Sequence, residues 1–266
     1  MLSEVPAGYT LEECERIVRT VERTKRTYMM AENACYFAFI QTWRHMIEQG
    51  RLGRIIYAEA EYIHDCRSLM TDRDEPGQRT WRADLPPIQY CTHSLGPILD
   101  LLGADRCVSV SGLSTGSNVA PEMGVIDMEV GLFEMKSGAV VKILCGFSVV
   151  REPPMNWYTV YGTKGSLESA RCGWDKSKGY FEDIPNLQDM IPYPLGISHT
   201  KTPPEATAGG HGATEYFMVD DFVRAVLEGS KPPIDVYRAM DFTLPGICAH
   251  RSAELGGKRI EVPEFR

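Results

Sequence analysis

Residues 54–65, R-I-I-Y-A-E-A-E-Y-I-H-D, alternate in character with period two. An extended strand satisfies that pattern and a helix does not. It places Ile56, Ala58, Ala60, Tyr62 and His64 on one face and Tyr57, Glu59 and Glu61 on the other, as expected for a strand covered on one side. Strand-like runs follow at about 106–114, 125–135, 139–150, 157–162 and 166–170, with K-S-G-A and T-K-G-S as hairpin turns. Hairpins join antiparallel neighbours, so these runs describe a large, mostly antiparallel open sheet.

Helices surround the strand runs. Thr10 with Glu13 three residues on forms a capping-box pattern ahead of a stripe of Leu11, Cys14, Ile17, Val18 and Val21. T-Y-M-M-A-E-N reads as a short buried strand, and F-A-F-I-Q-T-W-R-H-M-I-E-Q-G as a helix closed by Gly50. Y-C-T-H-S-L-G-P-I-L-D-L-L-G suggests a helix entered near Thr92. Two more helices lie in 214–229 and 235–255, the second with Pro245 as a kink or break, and K-R-I-E-V-P closes as a strand. Residues 171–213 are rich in Gly and Pro with neither period, which reads as a long ordered loop over a site. The fold class is α+β, with the helices on one face of the sheet.

A net charge of −8 and the lack of a basic run argue against nucleic acid or an anionic membrane as partner. Small neutral or polar ligands are the default. No apolar stretch approaches the ~20 residues that cross a bilayer, and the N-terminus lacks a signal-peptide layout, so a cytoplasmic location is expected. The eight cysteines form no CxxC or finger spacing, which signals neither a zinc site nor a disulfide framework; no metal is expected.

Four spots can carry chemistry: Glu32 with Asn33 at a strand end, Tyr62 with His64 on one strand face, Tyr90 with His93 at a helix start, and G-G-H-G around His211. Each also has a plain reading, as hydrogen-bonded core or as a flexible turn. His45, His199 and His250 read as structural or surface residues. There is no nucleophile elbow, P-loop or metal triad, and no GxGxxG.

In their order, S-E-V-P-A-G-Y-T-L-E-E-C, M-M-A-E-N-A-C-Y, G-R-L-G-R-I-I-Y-A-E-A-E-Y-I-H-D-C-R, Y-C-T-H-S-L-G-P-I-L-D-L-L-G, G-G-H-G and V-P-E-F resemble the Gfo/Idh/MocA oxidoreductases. Within them they resemble the branch of glycoside hydrolase family 109, the NAD-dependent α-N-acetylgalactosaminidases. The resemblance implies that 1–31 are the last helix and strand of a dinucleotide-binding (Rossmann) domain, with 32–266 as a substrate-binding and oligomerisation sheet domain. It implies NAD as cofactor, with most of its binding site on the part of the Rossmann domain not in this sequence, and a misplaced start or incomplete gene as the origin of that difference.

Glu4, Val5 and Pro6 take the place of the family's E-K-P turn, with Val5 where the sugar dehydrogenases keep a catalytic Lys. Glu4, Pro6, Glu32 and Asn33 are the implied cofactor contacts, His93, Tyr62, Tyr90 and His64 the catalytic group, and Trp81, Arg82 and His211 the substrate contacts. The implied chemistry is redox-assisted elimination, outside the two-carboxylate route. A sugar is transiently oxidised at C3, the C2 proton is lost, and the C1 substituent leaves. His93 is the expected base on the 3-hydroxyl, and Tyr62 handles the C2 proton or the leaving group. Other expectations are a non-catalytic sugar-binding or oligomerisation module, a separate Rossmann chain as partner, and an ordinary NAD(P)-dependent sugar dehydrogenase. A homo-oligomer through the open sheet is expected in each case.

Overall fold

The computed structural model describes residues 1–75, 77–151, 155–193, 202–207 and 213–266. A parallel pair opens the chain: β1 (Leu2–Ser3) lies beside β2 (Met29–Met30), with Leu2 opposite Met29. The crossover between them is α1 (Leu11–Thr24). Its start follows from the capping box, in which Glu13 N–H donates to the Thr10 hydroxyl at 3.1 Å and Thr10 N–H donates to the Glu13 carboxylate at 3.3 Å. Cys14 and Val18 of the stripe are buried; Leu11, Ile17 and Val21 are half-buried.

After a 3-10 turn at Asn33–Tyr36 come α2 (Ala38–Glu48), β3 (Ile55–Ile63), α3 (Trp81–Asp84), a 3-10 turn at Pro87–Tyr90, and α4 (Thr92–Leu101). The strands β4 (Cys107–Ser114), β5 (Met128–Met135), β6 (Val140–Gly146), β7 (Asn156–Gly162), β8 (Gly165–Glu168), β9 (Lys178–Phe181) and β10 (Ile191–Pro192) follow. The chain finishes with α5 (Thr214–Glu228), α6 (Val236–Glu254) and β11 (Ile260–Glu261).

Among the described residues these strands form a nine-stranded sheet in the order β10-β9-β8-β7-β3-β6-β5-β4-β11. Only β3 with β6 runs parallel; the other neighbours are antiparallel. Register puts Ala58, Val141, Phe133 and Val110 in one row of the covered face and Tyr62, Cys145 and Glu129 in another. Helices α4 and α6 pack on that face. At Gly112 a Cβ would stand 2.3 Å from the Ala249 carbonyl oxygen, so a glycine there is what lets α6 lie against β4. The opposite face carries Tyr57, Glu59 and Glu61 with Lys142, which pairs with Glu59 at 2.5 Å, and Arg171, which pairs with Glu61 at 2.5 Å. No described helix is long and apolar enough to cross a membrane.

The sequence pattern misleads at three places. Ile56 is 43% exposed, because a bulge between Ile55 and Tyr57 turns Ile55 inward in its stead. Within 171–213, expected to be loop, β9 and β10 extend the sheet and a 3-10 turn forms at Pro204–Thr207. With Gly179 and Phe181 as its only inward positions, β9 is too short to show a period. At Pro245, α6 does not break, since the turn around it, from Phe242 to Gly246, is buried and held by packing.

Candidate active site

Tyr62 ends the covered face of β3, and His64 follows just beyond the strand. The Tyr62 hydroxyl lies 3.0 Å from His64 Nδ1. The 3-10 turn Pro87–Tyr90 and the first turn of α4 bring Tyr90 and His93 over the same strand end. Ring centroids are 5.2 Å apart for Tyr62 and His93, 5.5 Å for Tyr62 and Tyr90, and 4.9 Å for Tyr90 and His93.

Glu32, fully buried just past β2, accepts from Ala34 N–H at 3.1 Å and places Oε1 at 2.7 Å from His93 Nδ1. A carboxylate only accepts, so His93 Nδ1 is the donor in this contact and Nε2 is the ring nitrogen turned away from Glu32. Gly96 makes room for this contact, since a Cβ there would stand 3.2 Å from Glu32 Cγ and 2.9 Å from the Phe242 ring. Glu32 Oε2 is buried with no partner.

His93 is also held from behind. Pro97 is inside α4 and has no N–H, so the His93 carbonyl four residues earlier loses its helical partner. The buried Tyr158 hydroxyl of β7 donates to that carbonyl instead.

Trp81 is half-exposed, and Arg82 lies over its ring at 4.2 Å, over Tyr90 at 4.4 Å and near Phe147 at 5.1 Å from the centroids. Burial pushes the Tyr62 phenol up, with Tyr90 adding to the shift. Burial also raises Tyr90, against the pull of Arg82. His64 is lowered, first by burial and then by Arg82, and is therefore a neutral imidazole at pH 7.

Val5 is buried while Glu4 is exposed, close enough for its charge to act on Tyr90; Pro6 and Asn33 are half-buried. The Tyr9 hydroxyl donates to the Trp81 carbonyl at 3.2 Å and so ties this turn to α3. His211 lies outside the described residues. The structure thus brings Glu32, Tyr62, His64, Tyr90, His93 and Arg82 into one cluster, with Trp81 and the Glu4–Pro6 turn at its border. Sequence reasoning missed Phe147 and Tyr158; only the proline five residues into α4 hinted that a donor was needed. His250, read from the sequence as structural or surface, has a structural pairing with the buried Glu129 at 2.8 Å.

For a nicotinamide dinucleotide the residues fit one end. The orphaned Glu32 Oε2 and the nearby Glu4–Pro6 turn suit the ring end and a sugar beside it. The pyrophosphate needs a glycine-rich turn at a helix N-terminus, and these 266 residues contain no GxGxxG.

The chain thus combines an α+β domain, one sheet face of which is covered by helices, with a buried Glu32–His93 pair at the end of that face. The family model for the GFO/IDH/MocA C-terminal domain matches 40–168, and that for the glycosyl hydrolase 109 C-terminal domain matches 156–266. The chain belongs to the Gfo/Idh/MocA family, on the glycosyl hydrolase 109 branch.

Among relatives, a glycosyl hydrolase family 109 protein of Streptomyces niveus is 28% identical over 98% of this chain and 57% of its own length. One of Solibacter usitatus is 27% identical over 98% of the chain and 65% of its length. An alpha-N-acetylgalactosaminidase of Bacteroides fragilis is 28% identical over 98% and 68%. The chain therefore spans less than two thirds of the length of the first two.

In fold, the NAD binding oxidoreductase of Klebsiella pneumoniae superposes with a TM-score of 0.78 at 14% identity, covering 99% of this chain and 73% of that one. Levoglucosan dehydrogenase in complex with NADH and levoglucosan gives 0.77 at 19%, also with 99% and 73% coverage.

Proposed function

We propose that this chain is the sugar-binding part of an NAD-dependent glycosidase that works through transient oxidation and elimination. The observation that carries the reading is the buried Glu32–His93 pair set beside the Tyr62 phenol. NAD, when bound, supplies reversible hydride exchange with a sugar carbon.

The chain's own residues supply the proton steps. His93 Nε2 takes the proton of the reacting sugar hydroxyl, while Glu32 fixes the ring and stabilises the imidazolium that forms. Tyr62, raised by burial and facing a neutral His64, stays protonated and is suited to donate to the departing oxygen rather than to act as a base. Tyr90, Trp81 and Arg82 orient the sugar, His211 adds a contact, and Glu4, Pro6, Glu32 and Asn33 line the ring end of the cofactor. Val5 brings no ammonium to the site, which favours elimination over plain alcohol oxidation.

In this reading the β1–α1–β2 unit, residues 1–31, belongs to a nucleotide-binding layer, and 32–266 to the sugar. All eight cysteines are free, which fits the cytoplasm. The test combines the chain, joined to or mixed with a nucleotide-binding domain, with NAD and a panel of aryl glycosides. Phenol release without net NADH is expected. Net NADH identifies a sugar dehydrogenase instead, and sugar binding with neither product identifies a non-catalytic module.

We further propose that the open sheet face joins two copies of the chain. Leu132 (51%), Val140 (38%), Tyr161 (44%) and Tyr180 (39%) stand exposed on it. Apolar exposure of this kind on one face marks an association surface. Light scattering is expected to show an oligomer that Leu132→Glu dissociates; a monomeric wild type refutes the assignment.

A further inference from the structure

We propose that the sugar taken by this site carries a carboxylate, and that Arg82 binds it. The inference rests on the carbohydrate reading above and narrows its substrate class.

The Arg82 guanidinium has rings against its faces, Trp81, Tyr90 and Phe147. Stacking uses the π faces and leaves the in-plane N–H groups for hydrogen bonds, one of which goes to the Tyr90 hydroxyl. Arg82 Nη1 is buried and has no hydrogen-bond partner. Among the described residues no carboxylate forms an ion pair with Arg82.

Arg82 also lines a cavity of about 350 Å³ beside the catalytic cluster, with Phe147, Arg79, Asp84, His250 and Glu254 on its wall. The acids of that wall are already engaged: Asp84 pairs with Arg79 at 3.1 Å, and Glu254 lies 3.7 Å from His250. Arg82 is left as the cation of this wall without a counter-charge, directly beside the ring that a sugar would touch. Arg82 is half-buried, and a partly desolvated cation with one buried, unpartnered N–H and no counter-charge gains from an anionic partner. A hydroxyl or an acetamido carbonyl satisfies one N–H and leaves the charge uncompensated. The two oxygens of a carboxylate match the planar fork and neutralise it.

The experiment is calorimetry on the 266-residue chain. Galacturonate, glucuronate and mannuronate are each titrated beside the corresponding methyl ester, with N-acetylgalactosamine and galactose 6-phosphate as further probes. At least one uronate is expected to bind about tenfold or more tightly than its ester. That preference is expected to vanish in Arg82→Met and to be partly kept in Arg82→Lys, which retains charge without the fork; circular dichroism checks that both fold.

Equal binding of uronates and esters, or a preference that survives Arg82→Met, overturns the inference while the carbohydrate reading stands. The same holds if N-acetylgalactosamine or the sugar phosphate binds tightest. Should no sugar bind at all, both fall. If Arg82→Met does not fold, the uronate-to-ester comparison in the wild type and in Arg82→Lys decides.

Discussion

Removing the Tyr158 hydroxyl tests the architecture of the site most directly. The His93 carbonyl lacks a helical donor because residue 97 is proline, and Tyr158 supplies the bond. Tyr158→Phe keeps the ring and its volume and deletes the donor. Tyr158 is fully buried and His93 half-buried, so an acceptor left unsatisfied between them costs about 1–3 kcal/mol.

Pro97→Ala restores an N–H four residues after His93, so in that background the same deletion is expected to cost under about 1 kcal/mol, because the helix closes its own bond. The cycle therefore predicts a coupling of about 1–2 kcal/mol between Tyr158 and Pro97, well beyond the ~0.5 kcal/mol typical of independent sites. Urea unfolding of the wild type, both single variants and the double variant measures it. Equal costs for Tyr158→Phe in the two backgrounds would show that the hydroxyl serves something other than the orphaned carbonyl.

Other outcomes follow from neighbouring residues. Burial alone lowers the His250 imidazole, but the hydrogen bond and charge of Glu129 outweigh it and raise its pKa above the usual value near 6.5. The stability this pair contributes is present in full below about pH 6.5 and is lost as pH rises through the raised value. In Glu129→Gln, imidazole NMR should show His250 titrating lower than in the wild type; an unchanged midpoint removes Glu129 as the cause.

Gly246→Ala would gain up to about 1 kcal/mol of helix propensity. Its Cβ, however, would stand 2.7 Å from the Ile88 carbonyl oxygen and 3.1 Å from Gln89 Cα, backbone that cannot yield cheaply. Overpacking at about 1–3 kcal/mol should win, and a lowered urea midpoint is the expected reading. For catalysis, Glu32→Gln keeps an acceptor near His93 but removes the charge that stabilises its protonated form; kcat of the NAD-supplied enzyme should fall about 100-fold or more while the fold persists by circular dichroism. Activity within a factor of a few would argue that His93 is not the base.

Much of this molecule can be read from local pattern. The Thr10–Glu13 box sets the start of α1, the alternation from Tyr57 to Ile63 sets the faces of β3, and three-residue spacing at a helix entrance puts Tyr90 and His93 together. These features depend on neighbours a few residues apart, whose geometry is imposed by backbone period and capping. The bulge at Ile55–Tyr57 and the strand at 178–181 escaped because each breaks or truncates that period.

What only the tertiary structure decides lies across long separations. It inserts β3 between β7 and β6, parallel to the latter, and it closes 61 residues to set Glu32 on His93. It also turns the polar tip of Tyr158 onto the carbonyl that Pro97 leaves bare, and stacks Arg82 among three rings without a counter-ion. The sequence alone determined an α+β chain with Glu32, Tyr62, His64, Tyr90 and His93 as candidates. Their convergence was decided by sheet order and by the close approach of α4 at Gly96, because contacts between distant segments are selected by the packing of the whole core and not by any local period.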